Sequence, residues 1–161
     1  MHITRNHAVR LFSAAILIGG FGLVQASAKT DFSGTWKLDT AKSDFGQLPA
    51  PDSITLKIVH QDPSLKVNLN QTGGMGDINA DLTYTTDGTE SVNHVGQGEA
   101  RTTMKWDGDD LVLDTKGKFG DNDYTSKDRW NVSSDGKTLT ITRHLASSMG
   151  ETDVKEVLAK Q

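Results

Sequence analysis

The residues best placed by type and spacing to do chemistry are Asp128 and Arg143. They lie in DYTSKDRWNVSSDGKTLTITRHLA, residues 123–146, on either side of a Ser-Asp-Gly-Lys turn. Read with period two, each occupies the apolar parity of its strand, alongside Trp130 and Val132 or Leu139 and Ile141. With the turn at 134–137, Ser133 faces Thr138, and the opposed pairs Val132–Leu139, Trp130–Ile141, Asp128–Arg143 and Ser126–Leu145 follow. Opposed residues share a face with Cβ atoms about 4.5–5.5 Å apart, so the spacing predicts an ion pair aimed inward. A lone inward charge is very costly; a matched pair is tolerable, though often no more stabilising than a hydrophobic substitute. Two roles are open to Arg143. It closes one end of the fold, stacked on Trp36 or Trp130 and neutralised by Asp128, or it anchors a ligand carboxylate. The first is favoured, because Asp128 already satisfies the charge.

Other chemistry is sparser. After residue 28 the histidines are His60, His94 and His144. They are isolated in sequence, whereas zinc or haem needs ligands at fixed close spacing; surface or rim positions are the expectation. DGDD (107–110) and DND (121–123) lack the alternating oxygen ligands and closing Glu of a calcium loop, and tight hairpin turns account for both. GGMG (73–76) has no helix after it to present an N-terminus to phosphate, so it too reads as a hairpin tip. No serine elbow, cysteine nucleophile or paired carboxylates in a recognisable context appear. No catalytic residue and no cofactor are expected, and an enzyme is the minority reading.

The elements that must position these side chains are short and alternate with period two. Ten strands are predicted, at 33–39, 53–60, 65–71, 78–85, 91–95, 99–106, 110–118, 123–132, 137–145 and 151–158. Each joint carries Gly, Pro, Asn or Asp, the residues that supply the φ values of tight turns. The long joint is 40–52, TAKSDFGQLPAPD. No helical period is visible after residue 28. A meander this long exposes two sheet edges unless it closes, so the fold class expected is all-β: an antiparallel up-and-down β-barrel of 8–10 strands. A two-sheet sandwich is the runner-up, disfavoured because long crossovers are absent.

The first residues have a different character. Arg5 and Arg10 precede an apolar run from Leu11 to Val24, and a small-x-small site ends at Ala28. This predicts a secretory signal peptide over 1–28, cleaved after Ala28, with the barrel domain at 29–161 and a periplasmic or secreted location. The run is too short to span a bilayer, and no stable membrane insertion is expected after cleavage. The whole chain carries 17 Lys+Arg against 21 Asp+Glu; without Arg5 and Arg10 its formal charge falls from −4 to −6. Nucleic acid needs a basic face and is excluded as a partner; an anionic membrane surface is disfavoured likewise. No cysteine is present, so the core must hold without disulfides, which a domain of this size permits. A monomer is expected.

FSGTWKLDTAKSDFG (32–46), with Gly34-x-Trp36 on the first strand, resembles the opening of the lipocalin and fatty-acid-binding-protein (calycin) families. Together with the hairpin KWDGDDLV (105–112), it is similar to secreted bacterial lipocalin-like proteins. The resemblance implies a barrel of eight or ten strands enclosing a small apolar ligand. It also implies that Trp36 closes the floor and that an arginine from a late strand packs across its indole, for which Arg143 is the candidate. Two departures stand out. The last strand reads VKEVLAKQ (154–161) in place of the Arg-x-Tyr that holds a fatty-acid carboxylate, and the 40–52 joint cannot supply two covering helices. A fatty-acid headgroup site is therefore not carried over.

The inward parities make an apolar lining with a few polar groups, the usual composition of a small-molecule pocket. Leu56, Ile58 and Val67 are assigned to the cavity wall, as are Met104, Trp106 and Tyr124, with the 40–52 loop as the mouth. The expected function is an exported barrel that carries or sequesters a small hydrophobic or amphipathic molecule. The alternatives are an envelope interaction module with a filled core and, behind it, an enzyme using the same cavity.

Overall fold

A computed structural model describes residues 29–161; the predicted signal segment lies outside the described residues. Ten antiparallel strands follow one another: β1 (Gly34–Leu38), β2 (Pro51–Gln61), β3 (Ser64–Gly73), β4 (Ile78–Thr85), β5 (Asp87–Val95), β6 (Gly98–Asp107), β7 (Asp110–Phe119), β8 (Asn122–Val132), β9 (Thr138–Ser147) and β10 (Gly150–Lys160). A single 3-10 turn at Thr40–Lys42 interrupts the pattern. The expected all-β up-and-down barrel is present, with ten strands. Neighbours other than β4 and β5 pair in chain order, and β1 joins β10, with Trp36 opposite Lys160 and Leu38 opposite Leu158.

Closure is incomplete at one seam. The sheet runs from β4 through β1 and β10 round to β5, and no backbone ladder joins β4 to β5. A side chain bridges them instead. Asn93 on β5 accepts from the Thr83 amide at 2.8 Å and donates to the Thr83 carbonyl at 3.1 Å. Its amide group has the same donor and acceptor as a peptide unit, so it continues the ladder by one rung.

The register of β8 and β9 is as the spacing predicts: Val132 opposite Leu139, Trp130 opposite Ile141, Asp128 opposite Arg143 and Ser126 opposite Leu145. The turn is fixed from both sides. The Ser133 amide donates to the Thr138 carbonyl at 2.9 Å, and Ser133 Oγ accepts from the Thr138 amide at 3.0 Å. Gly136 completes the turn at φ 69°, a conformation that side chains resist.

The core fills the end of the barrel where β1 starts. Phe32, Trp36, Leu65, Met104, Leu111, Leu139 and Leu158 are fully buried there, each large aliphatic or aromatic side chain contributing about 1.5–3 kcal/mol by leaving water. Trp36 Nε1 donates to the Phe32 carbonyl at 2.9 Å, which ties the entering segment to the first strand. The cation across the Trp36 indole is Lys160, with Nζ 5.0 Å from the ring centroid. This corrects the assignment of Arg143 to that place. Lys160 stands directly opposite Trp36 in the register and its amine reaches the ring face, whereas the Arg143 guanidinium is drawn to Asp128, away from the floor.

The 40–52 segment is also placed differently from expectation. Most of it lies along β10 as an irregular continuation of β1. The Asp39 amide donates to the Val157 carbonyl and the Asp44 amide to the Lys155 carbonyl, both at 2.8 Å, and Ser43 Oγ accepts from the Val157 amide at 2.9 Å. β1 is short, so without this strap half of β10 would present an open edge. Pro49–Pro51 reach the mouth, where their backbone lies against Gly74 at the β3–β4 tip.

Candidate functional site

The interior divides into a packed half and an open half. Towards the mouth, the end bearing the hairpin tips at 73–77, 119–122 and 147–150, inward residues keep part of their surface accessible. Leu69, Gln71, Ile78, Thr115, Tyr124 and Leu145 are all intermediate in burial. Thr102 and Ser126, in register with Thr115 and Leu145, are buried, and Thr102 Oγ1 lies 2.9 Å from Thr115 Oγ1. Gly117 makes the space for Tyr124: a Cβ there would stand 2.6 Å from the ring. The phenol therefore lies flat over the β7 backbone.

At the boundary between the halves sits a charged node. Arg143 Nε donates to Asp128 Oδ2 at 2.8 Å, and Nη2 reaches the same oxygen at 2.8 Å. Nη1 lies 3.7 Å from Glu156 Oε1. Asp128 and Glu156 are nearly closed to solvent, while a third of the Arg143 side chain, 32%, remains open. A guanidinium with that much accessible surface borders space that a water molecule can occupy. Nε makes the hydrogen bond and Nη2 an ion contact to the same Oδ2, and Asp128 Oδ1 is buried without a hydrogen-bond partner. The Asp128 charge raises the Arg143 pKa further above its ordinary value. Burial pushes the Glu156 carboxyl above the usual range, against the pull of Arg143. Tyr84 reaches across from β4, edge-on to Trp130 with centroids 6.5 Å apart, and burial raises its phenol too.

Glu156 is the residue sequence reasoning missed. Val154, Glu156 and Leu158 alternate, which places Glu156 on the inward parity of β10, opposite Ile141. The signal was present, but Lys155, Glu156 and the buried Val157 give the strand a mixed pattern, because the strap covers its outer face.

A second polar cluster lies under the floor. Asp62 accepts from Trp106 Nε1 at 2.9 Å, from the Thr86 hydroxyl, and from Lys29 Nζ at 2.7 Å. These donors, Lys29 first, hold its carboxyl well below the ordinary range. Lys29 Nζ also stands 5.0 Å above the Trp106 ring. His60 is wedged between Phe32 and Trp106, at centroid distances of 5.8 and 5.7 Å. Its side chain is only 4% exposed, which corrects the expectation of a surface or rim position. It is held as an aromatic filler. His144 is exposed and meets Asp153 at 2.8 Å; His94 is exposed. Among the described residues no group of three His, Cys, Asp or Glu side chains is arranged to hold a metal ion.

The six residues assigned to a cavity wall are therefore scattered. Leu56, Ile58, Val67 and Met104 lie within the packed half. Trp106 faces the floor cluster, and Tyr124 stands in the open half. The acidic turn at 107–110 has a further use: Asp107 and Asp110 both engage Arg129, the latter at 2.8 Å. A broad concavity crosses β6–β10, lined by the outward Lys105, Lys127, Arg129 and His144, and bordered also by Asp128 and Arg143. Its alternating charges and openness suit water rather than an apolar molecule.

The barrel fold is shared with known proteins. The chain resembles a secretory abundant heat soluble protein from Ramazzottius varieornatus, at TM-score 0.56 and 13% identity over 81% of this chain and 95% of that one. It resembles the zebrafish ileal bile acid-binding protein complexed with cholic acid at 0.55 and 13%, over 81% and 98%. The Echinococcus granulosus fatty-acid-binding protein 1 is similar at 0.53 and 13%, over 80% and 96%. These likenesses establish a calycin-like, fatty-acid-binding-protein-like barrel fold. No protein-family model matches the sequence, and no curated protein sequence does.

Proposed function

We propose that this protein binds a small hydrophobic or amphipathic molecule in the upper half of its barrel. The observation that carries this reading is a difference in burial along the barrel: Leu65, Met104, Leu111 and Leu139 near the floor are sealed, whereas Leu69, Ile78, Thr115 and Leu145 nearer the mouth keep part of their surface accessible. A filled core would bury these residues equally. Leu69, Ile78 and Leu145 supply apolar surface, while Thr115, Tyr124 and Arg143 supply polar groups, the balance found in ligand pockets. That two barrels of like fold bear names referring to bile acid and fatty acid supports the same reading.

Under this proposal, Leu56 and Ile58 act from beneath, as the packed layer that a bound molecule would rest upon. The predicted signal segment completes the proposal with export and with release or capture of the molecule outside the cytoplasm. Native mass spectrometry of protein purified from its source tests the binding reading. A non-covalent adduct that is lost on denaturation is the expected result. Bare protein, together with no uptake of any lipophilic fluorophore, would overturn it.

A further inference from the structure

The two ends of the barrel differ in what their hairpin tips expose. Among the described residues, the large apolar side chains left open to solvent are Val59, Met75, Val92, Phe119 and Met149. Three of these stand at the mouth, one on each of three tips: Met75 at 73–77, Phe119 at 119–122 and Met149 at 147–150. The tips at the floor, at 62–63, 86, 108–109 and 133–137, carry none. Tight turns call for Gly, Asn, Asp, Ser or Pro, so turn chemistry does not account for two methionines and a phenylalanine. At 55%, 59% and 82% exposure, Met75, Phe119 and Met149 add little to the core either. Apolar side chains gathered at one place on a surface mark a site of interaction. Two of the three tips are also tied together, Ser148 Oγ donating to Asn122 Oδ1 at 3.3 Å, so Phe119 and Met149 are carried on one linked edge of the mouth.

We infer that the mouth docks reversibly on a lipid surface of zwitterionic headgroups, with Met75, Phe119 and Met149 entering it. Two features choose this occupant. The apolar side chains are single points on separate tips, whereas a stable protein interface needs a continuous face of about 800 Å² on each partner; a fluid lipid surface admits separate points. The tips are also acidic. Asp77 on the first, Asp121 and Asp123 at the second and Glu151 beside the third are exposed, and the one lysine among them, Lys118, is paired with Asp123 at 3.2 Å. Anionic lipid attracts basic segments and repels a rim of this sign, so a surface without net charge is the one it fits. Docking needs no ligand in the lumen. Its use, to pass an apolar molecule between barrel and bilayer without crossing water, rests on the binding reading above; the docking itself does not.

Vesicle co-flotation tests the docking. The chain is used from Lys29, because the apolar run at 11–24 would bind lipid by itself and all ten strands follow residue 29. It should float with phosphatidylcholine vesicles. It should float less with equal parts phosphatidylcholine and phosphatidylglycerol at low salt, and the difference should close at high salt. Met75→Ser/Phe119→Ser/Met149→Ser should lower the partition about tenfold or more, the effect of withdrawing even one such side chain from apolar surroundings. An unchanged melting temperature confirms the fold, and the three single variants give the same reading should the triple one not fold. Val59→Ser is the control: Val59 is 58% exposed near the floor end of β2, and its loss should leave the partition unchanged. No flotation of the parent, stronger flotation with the anionic vesicles, an equal loss in Val59→Ser, or a triple variant that floats as well as the parent each overturns the inference. So does a parent that self-associates in sedimentation through these side chains while ignoring vesicles, which would make the rim an interface between copies. None of these outcomes bears on uptake of a fluorophore by the lumen, so the two readings fail separately.

Discussion

Asn93 and Thr83 hold the two ends of the sheet together. The Asn93 side-chain amide makes both a donor and an acceptor bond to the Thr83 backbone, at 3.1 and 2.8 Å, across a seam that no backbone ladder crosses. Replacing it with leucine keeps the bulk and removes both bonds, each worth about 0.5–1.5 kcal/mol net. Asn93→Leu should lower the melting temperature and speed amide exchange in β4 and β5 before the rest of the barrel. Uniform exchange across all strands would show that the seam is not held there.

Arg143 stands between two acidic groups, so removing it does more than delete a contact. Arg143→Met leaves Asp128 and Glu156 facing each other without a counter-charge, a change of about 3–5 kcal/mol for a broken buried pair. The double variant Arg143→Met/Asp128→Leu should recover much of that loss, because a hydrophobic substitute is often as stable as the pair. Chemical denaturation of the single and double variants measures both effects. Equal instability of the two would contradict the argument.

Glu156 and Asp62 should shape the acid and neutral limbs of stability in opposite senses. Glu156 has a raised folded pKa, so the native state holds its proton to higher pH than the unfolded chain. Its contribution is therefore most favourable below the ordinary glutamate value of 4.5 and declines as pH rises through the folded value. Glu156→Gln should flatten that decline, and thermal melts from acid to neutral pH should show the variant gaining on the parent.

Asp62 is the reverse case. Its carboxyl is held down by Lys29 and Thr86, so its stabilisation is present above the ordinary aspartate value of 3.8 and disappears as pH falls through the folded value. The group is partly exposed, and solvent screening keeps the effect small. Asp62→Asn should be less stable than the parent at neutral pH and approach it at the acid end. Trp106 emission, reporting directly on the Nε1–Asp62 bond, should shift in the same variant.

Gly117 is needed as an absence of side chain. A Cβ at that position would stand 2.6–2.7 Å from two ring atoms and the hydroxyl oxygen of Tyr124. Gly117→Ala must lift the phenol off β7 and into the open half of the barrel. The expected outcome is a modest loss of stability, of about 1–3 kcal/mol for overpacking, with weaker uptake of a lipophilic fluorophore. A variant with normal uptake would show that the space around Tyr124 is not where a molecule sits.

The strands and the β8–β9 register were legible because alternation and turn residues act locally: a Ser-Asp-Gly-Lys turn dictates which side chains oppose, and the opposed side chains decide which face is buried. The Asp128–Arg143 pair follows from that alone. What was not legible depends on contacts distant in the chain. Lys160 reaches Trp36 only because β10 closes on β1. Glu156 is obscured because the strap buries Val157 on the other face of the same strand. The His60 position depends on Phe32 and Trp106 meeting around it, from segments separated by most of the barrel. The division into sealed and accessible halves is a property of summed volumes, which no one-dimensional pattern records.

The junction of β1 with β10 brings the two described ends of the chain side by side: the Gln161 amide donates to the Thr35 carbonyl at 2.9 Å. All other pairings join sequence neighbours, so assembly proceeds largely by zipping adjacent hairpins, and this junction demands the longest loop closure. A short peptide linking residue 161 back to residue 29, with new ends cut at the glycine-rich tip near Met75, would turn the slowest contact into a local one. Such a rewired chain should reach the same architecture sooner than the original.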